Sequence, residues 1–338
     1  MGNALALSPG GSTLIIPGMT RTIDFEHGIS AIDAHYHRPG LAAFYLLIEG
    51  GQAAFIDTGT SRSVPDALEA LAVRGLGPQD VAYVIPTHVH LDHAGGAGEM
   101  MRRFPNARLV IHPRGARHMI DPEKLIAGVI GVYGERAVKR HFGEILPIPA
   151  ERVIEAPDEF TLDFNGRVLR FLDTPGHARH HFCVVDARSS SIFSGDTFGM
   201  SYREFDTDKG AFIFPTTTPV QFEPDALHVS IDRLAAERPK QIFLTHFSAI
   251  TEVDRLAADM HVTVSAFADL GRRTAGSGDE RHRALIQGQR EILLPRLAAH
   301  GVRLAPERIE ELLHGDYELN AQGIGVWLDR ENKAATGQ

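Results

Sequence analysis

The sequence predicts an α+β fold in which two sheets pack face to face, helices lie outside them, and a helical region closes the chain. Three observations lead there. Apolar runs bounded by Gly and other turn residues alternate with helical patterns up to about residue 250. Several of those runs are joined by tight turns, the signature of antiparallel hairpins. Beyond residue 250 apolar residues recur instead at three- and four-residue steps, as along a helix. The division expected is therefore a sheet-bearing domain over 1–250 and a helical extension over 251–338.

The elements follow in order. "LAAFYLLIEG" and "GQAAFIDTG" read as two strands around a turn at Gly50 and Gly51. "SVPDALEALAVRG" reads as a helix, with Ser63 as its cap, Pro65 in its first turn and Gly75 at its end. "VAYVIPT" is a short buried strand, followed by a loop. "GGAGEMMRRF" starts a helix and "ARLVIHP" is a further strand. Residues 113–149 are more helical and read as an insertion. Strands resume in "RVIEAPDEFTLDFNGRVLRFLDTPGH", with a hairpin turn at Asn165 and Gly166, and continue as a pair in "HFCVVDARSSSIFSGDT". "EPDALHVSIDRLAAERP" is a helix and "KQIFLTH" a last buried strand. In the extension Leu256, Met260, Val264 and Phe267 form a helical stripe; two more helices follow, the first bent at Pro295.

Composition narrows the function. With 338 residues, 43% apolar and 23% charged, the chain can bury a large core. Its single cysteine, Cys183, forms no intramolecular disulfide, which suits a reducing compartment. No basic residue precedes Arg21, and no apolar stretch approaches the roughly 20 residues of a membrane helix, so a cytoplasmic protein is expected. The net charge of −9 and the lack of a basic block disfavour nucleic-acid and polyanionic partners. Eighteen histidines beside 34 lysines and arginines point to metal or proton chemistry.

"THVHLDHAGG" places His88, His90, Asp92 and His93 directly after the strand "VAYVIP". Each of these groups must be hydrated, paired or bound to a metal. Three other strand-like runs also end in potential ligands: His177 in "TPGH", Asp196 in "SGDT" and His246 in "THFS". Strand ends on one edge of a sheet pair can meet at one place. A lone histidine or aspartate in such a position is ordinarily a solvated or turn residue; seven in this order are not. Imidazole and carboxylate donors suit zinc, iron or manganese rather than thiophilic ions.

In these motifs the chain resembles the metallo-β-lactamase superfamily over about residues 40–250: "HVHLDH" stands for its H-x-H-x-D-H signature, followed by "TPGH", "SGDT" and "THFS", with Asp57 of "FIDTG" as an early strand-end aspartate. The resemblance implies an αββα sandwich with a metal site at one edge. It implies that His88, His90 and His177 bind one metal, that Asp92, His93 and His246 bind a second, and that Asp196 bridges both. Asp57 would hold the ligand loops. Antibiotic-degrading lactamases use a cysteine where this chain has Asp196, which turns the expectation toward glyoxalase II, lactonases and arylesterase-like enzymes. The function implied is a binuclear hydrolase of a small carboxylic ester, lactone or thioester, with catalytic Asp92 and Asp196, two divalent ions (zinc, with iron or manganese as alternatives) and a metal-bridging hydroxide as nucleophile. The alternative is an iron-dependent oxidoreductase of the same fold, either a persulfide dioxygenase or a diiron protein.

Other stretches bear on substrate and partners. The loop 198–219 carries Met200, Tyr202, Phe205, Phe212 and Phe214, which either wall an apolar pocket or pack the loop down. Tyr36 and Tyr133 are candidates to assist a leaving group. Arg179, His180 and His181 could support the ligand His177 or clamp a substrate anion. His35 and His37 have the spacing of a metal pair but no further ligands of their own. The stretch around Trp327 could cap the pocket, form a homodimer contact, or pack on its own domain. The partner expected is a small-molecule substrate, with no nucleic acid and no membrane.

Overall fold

A computed structural model gives the structure of the chain and describes residues 12–14, 22–217 and 220–336. Most of the amino-terminal stretch up to Arg21 lies outside the described residues, as do Thr218 and Pro219 of the 198–219 loop. The chain forms two compact units. The first comprises 1–173, 180–195 and 239–250; the second comprises 174–179, 196–238 and 251–338.

The first unit holds both sheets. One has eight strands in sequence order: β1 (Ser12–Leu14), β2 (Thr22–Phe25), β3 (Ile29–Asp33), β4 (Ala43–Glu49), β5 (Gln52–Ile56), β6 (Val81–Ile85), β7 (Arg108–Ile111) and β8 (Val153–Glu155). It is an antiparallel meander through β5 and parallel from β5 to β8. The other sheet contains β9 (Thr161–Phe164), β10 (Arg167–Asp173), β11 (Phe182–Asp186), β12 (Ser191–Gly195), β13 (Gln241–Leu244) and β14 (Ser248–Ile250), in the order β14-β13-β12-β11-β10-β9. Only β12 and β13 are parallel in this sheet. Along β4 the side chains alternate between two cores, since successive strand residues face opposite ways. Tyr45 and Leu47 meet Phe171, Phe182, Phe193 and Phe243 of the second sheet. Phe44 and Leu46 join a core with Ala67 and Leu71 of α1 (Val64–Val73).

The expected turns are present. Gly50 and Gly51 have φ of 56° and 79°, and Asn165 and Gly166 have 52° and 83°, the left-handed values a two-residue hairpin turn requires. Ser63 stands at the N-cap of α1 as expected, but its side chain makes no capping bond. Its hydroxyl donates to the Ala34 carbonyl (2.8 Å), and Thr60 caps the preceding 3₁₀ turn. The insertion over 113–149 folds as α4 (Pro113–Ile120), α5 (Glu123–Tyr133) and α6 (Glu135–His141). It follows α2 (Leu91–Ala94) and α3 (Ala97–Arg103).

The second unit is helical: α7 (Pro224–Ala236), α8 (Val253–Arg273), α9 (Gly278–His300) and α10 (Pro306–Thr336). The helix α9 runs through Pro295, and α10 runs through Gly315. Trp327 packs on its own unit, 4% exposed, with Phe222 at 5.8 Å and Arg272 over its ring. Among the described residues no helix is long and apolar enough to cross a membrane.

Candidate metal centre

The ligand candidates stand where strands end. The strand β6 stops at Ile85, and the next residues carry His88 and His90 in an irregular turn; Asp92 and His93 then lie on the one-turn helix α2 rather than in a loop. Asp196 directly follows β12, His246 lies two residues past β13, and His177 lies four residues past β10. Two glycines beside these positions admit no side chain. At Gly195 a Cβ would lie 2.5 Å from His181 Nε2, and at Gly176 it would overlap the Leu227 backbone.

Two groups of donors result. His88, His90, His177 and Asp196 each offer a ligand atom, and these atoms lie within 4.8 Å of one another; the same holds for Asp92, His93 and His246. Each of the seven sequence candidates falls in one of these two groups, Asp196 in the first. His35 and His37 belong to neither group. His37 instead faces the His141 ring at 4.4 Å.

Hydrogen bonds select which ring nitrogen each histidine presents. His93 Nδ1 lies 2.9 Å from Asp57 Oδ2, and His246 Nδ1 lies 2.8 Å from the Leu41 carbonyl. His177 Nδ1 lies 3.3 Å from the Thr216 carbonyl. A carbonyl or a carboxylate oxygen only accepts, so Nδ1 carries the proton in all three and Nε2 keeps its lone pair. Those Nε2 atoms face carboxylates: His246 and His93 lie 3.4 and 3.7 Å from Asp92 Oδ2, and His177 lies 3.3 Å from Asp196 Oδ2. His88 Nε2 and His90 Nδ1 approach to 2.9 Å. Converging nitrogen lone pairs and carboxylates, with the opposite ring nitrogens tied to acceptors, are the arrangement a divalent cation requires. The donor set therefore fits such an ion.

Asp57 is the hub of the first unit's ligand loops. Its Oδ1 accepts from the Thr87 amide (2.7 Å) and hydroxyl (2.9 Å); its Oδ2 accepts from Thr245 Oγ1 (2.6 Å) and His93 Nδ1. One buried carboxylate so ties β5, the residue before His88, and the residue before His246. Thr245, Thr216 and the Leu41 carbonyl were not singled out in the sequence, and Thr87 only as the residue before "HVHLDH". The threonines adjoin ligands or their partners, but backbone acceptors carry no residue signature.

The other candidates resolve by packing. Met200, Tyr202, Phe205, Phe212 and Phe214 are all buried, and the aromatic rings among them contact one another, so they hold the 198–217 segment down. Arg179 pairs with Glu223, and His180 Nδ1 lies 3.5 Å from the Val89 amide. Cys183 is fully buried, its Sγ 3.3 Å from the Ser194 carbonyl. Burial, and then the charge of Asp92, push the Tyr36 and Tyr133 phenols well above their ordinary range, so both remain protonated donors.

The sequence model of the metallo-beta-lactamase superfamily matches residues 37–246, which span the two donor groups from end to end. The chain belongs to that superfamily. Its fold is shared with an archaeal superfamily protein from Sulfolobus tokodaii, at a TM-score of 0.60 and 21% identity, over 88% of this chain and 98% of that one. Relatives within the superfamily carry hydrolase names. An acyl-coenzyme A thioesterase of Gallus gallus is 29% identical over 184 residues, 50% of this chain and 62% of the relative. A hydroxyacylglutathione hydrolase of a Synechococcus strain is 31% identical over 145 residues, 43% of each chain. The chain thus spans less than two thirds of the length of either.

Proposed function

We propose that this chain is a metal-dependent hydrolase of a small thioester or a related activated carboxylic ester. In this reading His88, His90 and His177 hold one divalent cation, Asp92, His93 and His246 hold a second, and Asp196 serves both. The observation that carries it is the tautomer pattern: three buried or nearly buried histidines, from different parts of the chain, each give Nδ1–H to an acceptor-only atom and turn Nε2 toward a carboxylate. The same pattern supports a divalent ion of borderline character, for which zinc is the first choice. Cations bound there would bring the pKa of a coordinated water toward 7 and polarise the substrate carbonyl.

The chain's own residues then have separate tasks. Asp57 and the threonines it binds fix the ligand loops before substrate arrives, so little reorganisation is left to the reaction. The protonated Tyr36 and Tyr133, within the field of Asp92, can donate to a leaving group. Cys183 is sealed in the core and takes no part as a nucleophile. The thioester preference draws support from two relatives, one named an acyl-coenzyme A thioesterase and the other a hydroxyacylglutathione hydrolase. Elemental analysis of protein purified without chelator tests the metal assignment. Two ions per chain, falling to one in Asp92→Ala, are expected; one ion in both proteins would remove the second site.

A further inference from the structure

We infer that Asn320, on the C-terminal helix α10, is a positioning residue for the ligand His177, acting through the backbone of residues 215–217. The inference rests on His177 being a metal ligand. Every group involved belongs to the second unit.

Asn320 sits in the middle of α10, 1% exposed. Asparagine is a poor residue for a helix interior, because its amide competes for backbone partners. Here the amide leaves its own helix. Oδ1 accepts from the Thr217 amide at 2.7 Å, and Nδ2 donates to the Pro215 carbonyl at 3.5 Å. The Thr217 hydroxyl closes the contact, donating to the Asn320 carbonyl at 3.0 Å with Oδ1 3.2 Å away. One side chain thus grips the residues on both sides of Thr216. The carbonyl between them is the acceptor for His177 Nδ1, and Thr216, Thr217 and His177 are all buried.

The chemistry of the grip is specific. The Thr217 amide needs an acceptor and the Pro215 carbonyl needs a donor, and an asparagine supplies both from one planar group. Fixing the residues on either side of Thr216 fixes where its carbonyl points. That carbonyl holds the proton on Nδ1 and leaves Nε2 facing Asp196 Oδ2. A helix more than a hundred residues downstream thereby sets the tautomer and aim of a ligand. This gives the helical C-terminal region a task at the metal centre besides its own packing.

The test compares metal affinity, by competition with a chromogenic chelator, in the wild type, Asn320→Ala, Asn320→Asp and Leu313→Ala. Leu313 is fully buried on the same helix and its apolar side chain can form none of these hydrogen bonds, so its variant reports a loss of helix packing. Asn320→Ala is expected to weaken one bound ion by 10- to 100-fold, the range for removing a partner that orients a ligand. It should also shift the visible bands of the cobalt-substituted protein. Asn320→Asp keeps the acceptor for Thr217 and loses the donor to Pro215, so its affinity should fall between the two. Leu313→Ala should lower the melting temperature and leave affinity and spectrum as in the wild type. Should Asn320→Ala fail to fold, Asn320→Asp carries the same comparison. Affinity within twofold of wild type in the Asn320 variants, or an equal loss in Leu313→Ala, overturns the inference. A wild type that binds no divalent ion overturns the ligand assignment of His177 beneath it.

Discussion

Replacing Asp57 by asparagine changes one oxygen into an amide nitrogen and leaves the shape intact. Asp57 Oδ1 receives two donors from Thr87, so the asparagine oxygen is held on that side and its NH₂ falls where Oδ2 was. Two donors already point there. The Thr245 hydroxyl can rotate and accept instead. The His93 ring cannot, unless its proton moves from Nδ1 to Nε2. That move places a proton on the nitrogen that faces Asp92, where the cation must bind. Partners of this kind are worth 10- to 100-fold in metal affinity, or about 1.4–2.7 kcal/mol. Chelator competition should therefore show one ion weakened by that factor in Asp57→Asn, and the ¹⁵N shifts of His93 should change from the Nδ1–H to the Nε2–H tautomer. A variant that binds both ions within twofold of wild type, with His93 still protonated at Nδ1, would refute the reasoning.

Further outcomes follow from other parts of the chain. Burial outweighs the nearby Arg203 and raises the Asp206 carboxyl to about 6, against about 3.9 when unfolded. Its folded form favours the proton, so stability is full below the unfolded value and falls by up to about 3 kcal/mol as pH rises from 4 to 6; Asp206→Asn should flatten that stretch of a urea-denaturation pH profile, and an unchanged profile would remove Asp206 as its source. Burial, and then His261, lower the His228 pKa, so its folded form favours the neutral ring and its contribution is lost as pH falls through 6.5 and below. His228→Gln should make the melting temperature less sensitive to acid in that range, and equal sensitivity would contradict this. Cys183→Ser, with its hydroxyl able to donate to the Ser194 carbonyl, should keep turnover within about twofold, whereas abolished turnover in a folded variant would point to thiol chemistry.

The candidate donors were legible because their side chains carry the chemistry: His88, His90, Asp92 and His93 crowd into six positions, and His177, Asp196 and His246 each follow an apolar run. What holds them was legible only in part. Asp57 stands out as an aspartate at a strand end, but the Leu41 and Thr216 carbonyls are backbone atoms that any residue supplies. Asn320 was hidden for a similar reason, since its partners are again backbone groups distant in sequence. The hairpins at Gly50 and Asn165 were legible because left-handed turns need those residues. The strands β2 and β3, "TIDF" and "ISAID", went unread because each is short and polar enough to pass for loop. Ser63 was legible as the cap position but not as a capping bond, because a tertiary acceptor at Ala34 takes its hydroxyl. Buried Leu312, Leu313 and Tyr317 carry α10 past Gly315, a residue that costs about 1 kcal/mol in a helix interior.

The account stands most directly on whether hydrolysis travels with the metal. The measurement is thiol release from an acyl-coenzyme A thioester by protein as purified, after dialysis against a chelator, and after zinc is returned in counted equivalents. Loss of turnover with the metal, and its return as the second equivalent is taken up, is the predicted result. Undiminished thioester hydrolysis by metal-free protein, or a chain loaded with two ions that cleaves no thioester, ester or lactone, would contradict it.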